Sequence, residues 1–126
     1  MLENESQTHE LQGYSYEDRQ GLLATLTNAF THSGGWVLER KTLSPTTIEF
    51  RIEIQLQGIV ELYAALVASG LELTRAAHET LTALCTSRKH IAVSLRPGHL
   101  LSIRLELNFL EDVTLHALLM TGSGLA

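Results

Sequence analysis

At 126 residues the chain is long enough for one domain and too short for two of ordinary size. Apolar residues make up 44% and charged residues 18%, a globular mix that argues against general disorder. The net charge of -5, with no basic stripe to meet phosphates, excludes the usual nucleic-acid binder; the densest basic spot is only Arg88-Lys89-His90.

Residues 1 to about 8 read as a loose tail, and HELQGYSYED as a first strand. Leu22, Leu23, Leu26, Ala29 and Phe30 then recur at helical spacing on one face. Asp18 is placed to cap that helix, because its carboxylate can accept from the unpaired amides of the first turn. Gly34-Gly35 is a natural stop. WVLERKTL reads as a second strand and Ser44-Pro45-Thr46 as a turn. TIEFRIEIQL alternates cleanly: Ile48, Phe50, Ile52, Ile54 and Leu56 point one way, and Thr47, Glu49, Arg51, Glu53 and Gln55 the other. Such a pattern belongs to a sheet with one face on a core and one polar face.

After Gly58, the residues Ile59, Leu62, Tyr63 and Leu66 predict a second helix that ends near Gly70. Thr74 can cap a third, over residues 74–89, with Ala77, Leu81, Leu84 and Cys85 inward. IAVSL predicts a short strand, Arg96-Pro97-Gly98-His99 a turn, and LLSIRLELNF the return strand of a C-terminal hairpin. Leu115 to Met120 is expected to pack as a short element, and residues 121–126 to form a second loose tail. The expected order is β-α-β-β-α-α-β-β, in one α+β domain over 1–126. The fold class is a two-layer sandwich with a ferredoxin-like antiparallel sheet, helices on one face, an extra helix and the C-terminal hairpin.

Catalytic motifs are scarce. His78-Glu79 begins like the zinc-protease H-E-x-x-H, but Thr82 stands where the second imidazole is needed. His78 and Cys85 are seven residues apart, two helical turns, which is too far for both to hold one metal. Cys85, with Arg88, Lys89 and His90 nearby, has no base and orienting group at recognisable spacing. Gly122-Ser123-Gly124 lacks the strand-turn-helix setting of a nucleophile elbow. Glu49, Glu53 and Glu106 read as alternating with Arg51 and Arg104 in cross-strand charge pairs rather than as paired carboxylates, and Trp36 as a packing residue rather than a ligand platform. The expectation is a non-enzyme without metal or cofactor. The single cysteine excludes an internal disulfide. No apolar run approaches the roughly 20 residues of a membrane span. The opening MLENESQTHE lacks the pattern of a secretion leader, so a cytoplasmic protein without a membrane partner is expected.

YSYEDRQGLLATLTNAFTHSGGWVLERKTL, followed by TIEFRIEI, resembles the ACT domain family over about residues 9–70. The family's opening is a strand, then an acidic residue, two residues, a glycine and an apolar helix, often D-R-P-G-L-L. Here it is Asp18-Arg19-Gln20-Gly21-Leu22-Leu23, with Gln20 where proline is common. The resemblance implies a regulatory module that binds an amino acid or related small molecule at the loop Asp18, Arg19, Gln20, Gly21 and Leu22, often between two copies. Gly21 would then let a ligand come close to the backbone, and the first-turn amides suit an anion. The expected partners are a second copy, an amino-acid ligand or another protein, with Glu39, Lys41 and the polar strand face at a subunit interface. The alternatives are a structural homodimer or adaptor without ligand, in which Gly21 only opens a helix, and a small enzyme using His78, Cys85 or His90.

Overall fold

The computed structural model describes residues 8–93 and 100–110. Among these residues five strands and three helices follow one another as β1 (Thr8–Ser15), α1 (Arg19–His32), β2 (Gly35–Ser44), β3 (Thr47–Gln55), α2 (Ile59–Ala68), β4 (Glu72–Leu73), α3 (Arg75–Val93) and β5 (Leu100–Phe109). A single 3-10 turn, Leu56–Gly58, joins β3 to α2. The chain is thus an α+β protein built on one mixed sheet, in the order β2-β3-β5-β1-β4.

The alternation in β3 and β5 takes effect as expected. Ile48, Phe50, Ile52 and Ile54 are buried, as are Leu101, Ile103, Leu105, Leu107 and Phe109. They join Leu22, Leu26 and Phe30 of α1, Ile59, Leu62 and Leu66 of α2, and Ala77, Leu81 and Leu84 of α3 in one cluster. Each leucine, isoleucine or phenylalanine among them contributes about 1.5–3 kcal/mol when fully buried. Phe30 meets Phe50 edge to face, with ring centroids 5.4 Å apart. Thr74 caps α3 as predicted, its Oγ1 accepting from the Ala77 amide at 3.1 Å. Gly34 and Gly70 follow α1 and α2 with φ of 84° and 86°, the left-handed conformation that glycine adopts without strain.

Three expectations change. A two-residue strand, β4, stands between α2 and α3 where the expected order has helix following helix; Glu72 and Leu73 are too few to show alternation and become a strand by pairing with Gly13 and Tyr14 of β1. The sheet is not wholly antiparallel, because β5 runs parallel to β1 over eight residue pairs and antiparallel to β3 over nine. A split β-α-β leaves one strand between the parallel pair that flanks its helix. Here both β5 and β3 lie between β1 and β2. The C-terminal hairpin is also absent among the described residues. Ile91–Val93 continue α3, and β5 finds its partners in β1 and β3. Three apolar residues in a row do not separate a short strand from the end of a helix, and an already long α3 favours continuation. The predicted turn Arg96–His99, both tails apart from Thr8, and the element Leu115–Met120 lie outside the described residues.

The polar face carries an unexpected charge register. Arg51 stands directly opposite Arg104, and Glu49 opposite Glu106. Like charges across a strand pair are unfavourable, so each arginine turns to another strand. Arg104 Nη1 lies 3.1 Å from Glu10 on β1, and its Nε 3.5 Å from Glu49 on β3. Arg51 Nη1 lies 3.6 Å from Glu39 on β2. Of the expected pairs, Arg104 with Glu49 forms, on the diagonal, while Arg51 and the second contact of Arg104 go instead to Glu39 and Glu10 on the outer neighbours. Lower in the sheet, Thr47 donates to Asn108 Oδ1 at 2.9 Å, and Asn108 donates to the Gly13 carbonyl at 3.4 Å, tying β3, β5 and β1 together.

Close packing is tightest at Gly58. A Cβ on Gly58 would stand 2.0 Å from the Ser33 carbonyl oxygen at the end of α1. That oxygen belongs to the backbone and cannot rotate away. Gly58→Ala is expected to destabilise the fold by about 2–3 kcal/mol, the upper part of the overpacking range, as read by urea unfolding. A second expectation concerns pH. His9 sits opposite Ile103 on the core side of β1, and burial lowers its pKa below the ordinary 6.5. The unfolded chain then binds the proton more readily than the folded one, so this stability is present above pH 6.5 and lost as the pH falls below it. Unfolding titrations at pH 7.5 and 5.5 should show a smaller loss in His9→Gln than in the parent.

Candidate functional site

The loop before α1 is built by short-range hydrogen bonds. Ser15 closes β1 buried, and its Oγ accepts from the Glu17 amide at 2.9 Å, which turns the chain. Asp18 is the N-cap, with φ -58° and ψ 135°, and its Oδ2 accepts from the Gly21 amide at 3.0 Å. Its carbonyl accepts from the Leu22 amide at 2.9 Å. Arg19 reaches away from the loop. It donates to the Pro45 carbonyl in the β2–β3 turn and lays its guanidinium 4.9 Å from the Phe109 ring centroid. The same corner is closed by the Phe109 amide donating to the Thr46 carbonyl at 2.9 Å. Leu22 is buried in the core.

Three of the five loop residues therefore serve the fold: Asp18 caps, Arg19 clamps a distant turn, and Leu22 packs. Gln20 and Gly21 are exposed. Neither left-handed backbone nor crowding requires the glycine, since a Cβ at position 21 would meet only Asp18 Oδ2, at 3.7 Å. The amide of Gly21, one of the donors an anion would use, is already taken by the Asp18 carboxylate.

The histidine and cysteine on α3 do different work. Tyr63 Oη and His78 Nδ1 are 2.6 Å apart, a hydrogen bond that joins α2 to α3. His78 also borders a shallow depression of about 670 Å³ with Arg75, Glu79, Thr82 and Ala83. Cys85 packs, half buried, against the core. The side chain of His90 lies outside the described residues. Among the described residues, no group of three or more His, Cys, Asp or Glu side chains is arranged to hold a metal ion. None of the described helices is long and apolar enough to cross a membrane.

The most unusual surface is β2. It stands at one end of the sheet, paired on one side with β3, and none of its ten residues is buried. Trp36, Val37, Leu38 and Leu43 are 44%, 36%, 50% and 47% exposed. The pairing with β3 slips between Val37 and Glu39 and again between Thr42 and Ser44, which leaves Leu38 and Leu43 bulged out of register. Trp36, Glu39 and Lys41 lie opposite Glu53, Arg51 and Glu49, and so share the polar face of the sheet. The sequence predicts the strand but reads Trp36 as a packing residue, which its 44% exposure corrects. The available signal was the failure of alternation in Trp36-Val37-Leu38, three apolar residues that cannot all face one core.

Comparison with models of protein families, with curated proteins and with solved structures finds no match.

The loop geometry separates capping from glycine chemistry. Asp18→Ala should cost about 1 kcal/mol through the lost cap. Gly21→Ala should leave stability unchanged or raise it by up to about 1 kcal/mol, because alanine is the better helix former and has room. Urea unfolding of the two variants side by side checks both, and a destabilised Gly21→Ala would contradict the open geometry.

Proposed function

We propose that this chain is a non-enzymatic interaction module whose docking element is the outer edge of β2. The observation that carries this is a ten-residue end strand with four exposed large apolar side chains. A sheet edge offers a row of backbone donors and acceptors, and folds usually shorten, cover or charge such an edge. At the other end of the sheet β4 has only two residues. The long edge invites an extended partner strand, whose main chain would supply affinity and whose side chains would meet Trp36, Val37, Leu38 and Leu43.

The reading takes the protein as a two-layer sandwich related to the ferredoxin-like form, with the helices on one face and the charged face open. Support comes from the alternation of buried and polar residues along β3 and β5 and from the single cluster shared by all three helices. It needs no small ligand at Asp18–Leu22, where Asp18, Arg19 and Leu22 are already committed to the fold.

A photo-crosslinking amino acid placed at Leu38 and, as control, at the exposed Ala24 of α1 tests the reading in cells. A discrete adduct from position 38 that is absent from position 24, and that Leu43→Lys suppresses, is the expected result. No adduct at 38, or equal adducts at both positions, would sink the proposal.

A further inference from the structure

Resting on the reading of β2 as a docking strand, we infer that its partner is β2 of a second copy, paired antiparallel about a two-fold axis through Arg40. Two separate features of the strand select this arrangement. The first follows from which residues stand opposite one another across such a seam, the second from which segments lie side by side.

In antiparallel self-pairing, residues equidistant from the axis face each other and must share a face of the sheet. The β2–β3 register places Glu39 and Lys41 on the polar face and Arg40, opposite Phe50, on the other. With the axis at Arg40, Glu39 of each copy meets Lys41 of its mate, giving two opposite-charge pairs on one face. Moving the axis to Glu39 or to Lys41 sets that residue against itself and removes both pairs. The second feature is apolar. The bulges at Leu38 and Leu43 end strict pairing beyond the centre, but the Arg40 axis still lays the Trp36–Leu38 segment of one copy alongside Leu43 of the other at both ends of the seam. The exposed apolar residues thus gather in two clusters around a charged centre.

The charges on neighbouring strands agree with this arrangement. Arg51 already holds Glu39 from the β3 side at 3.6 Å, and Glu49 stands opposite Lys41. A second copy would therefore extend the alternation of charge across the seam. The opposing term is Arg40 facing its own mate on the axis. Its long stem lets the guanidinium groups splay into water, since Arg40 is exposed.

Sedimentation velocity over micromolar concentrations, with iodide quenching of Trp36, the sole tryptophan, tests the inference. The parent should dimerise as concentration rises, and quenching should fall in step. Glu39→Lys and Lys41→Glu should each replace two attractions by two repulsions and raise the dissociation constant about tenfold. An equimolar mixture of the two variants should form a heterodimer tighter than either homodimer, because lysines then face glutamates at both pairs. Arg51 and Glu49 neighbour the seam in every combination, so the mixture isolates the pairs across it.

A dimer abolished by Leu38→Lys but indifferent to both charge reversals overturns this register and leaves β2 as the docking strand. A dimer indifferent to all three substitutions overturns the register and the docking strand together. A protein that stays monomeric with Trp36 open to iodide overturns self-pairing. Its bulges and charges would then guard the edge, and crosslinks from Leu38 to another protein would still uphold docking.

Discussion

The fold depends on β5 being accepted on both of its backbone edges. It pairs with β1 on one side and β3 on the other, and its five inward residues, Leu101 to Phe109, are all buried. Every non-proline residue carries a donor and an acceptor that must be satisfied when water is excluded. A strand with one buried face can meet that demand along its whole length only between two partners. Without β5, the β1–β4 pair and the β2–β3 hairpin would be separate pieces, each with an unsatisfied edge next to the core. The last strand in the described sequence is thus what makes one sheet of two parts.

The central position of β5 also sets the electrostatics of the polar face. Nine antiparallel pairs with β3 bring arginine opposite arginine and glutamate opposite glutamate. The sheet accommodates this by sending the guanidinium groups sideways, Arg104 to Glu10 and Glu49, and Arg51 outward to Glu39. Registry is fixed by the apolar face, where a one-residue slip would expose a row of isoleucines and leucines. Surface ion pairs are individually worth less than about 1 kcal/mol and cannot override it. The charges arrange themselves around a register they do not choose.

At the far edge the balance differs. Among the described residues β2 has a neighbour on one side only, and none of its residues is buried. Nothing in the core rewards a strict alternation there, so two bulges and a run of three apolar residues are tolerated. The same lack of constraint leaves Trp36, Val37, Leu38 and Leu43 for contacts outside the monomer. The loop before α1 shows the reverse. In that loop three residues serve the fold, with Arg19 spanning to the β2–β3 turn, Asp18 closing the first helical turn and Leu22 buried.

The sequence by itself determined the elements whose cause is local. The caps at Asp18 and Thr74, the glycine stops, the alternation of β3 and β5 and the apolar stripes of all three helices were legible because each depends on residues within one or two turns. It could also name Glu39 and Lys41 as surface charges of a strand. Only the tertiary structure decided which strands meet. That β5 inserts between β1 and β3, parallel to one and antiparallel to the other, follows from the burial of a shared face, and periodicity is the same whichever partner is chosen. The same holds for Trp36: a tryptophan in a strand reads alike in a central and an end position. Its exposure, and with it the candidate site, is set by the strand order, of which the broken alternation in Trp36-Val37-Leu38 is the one local trace.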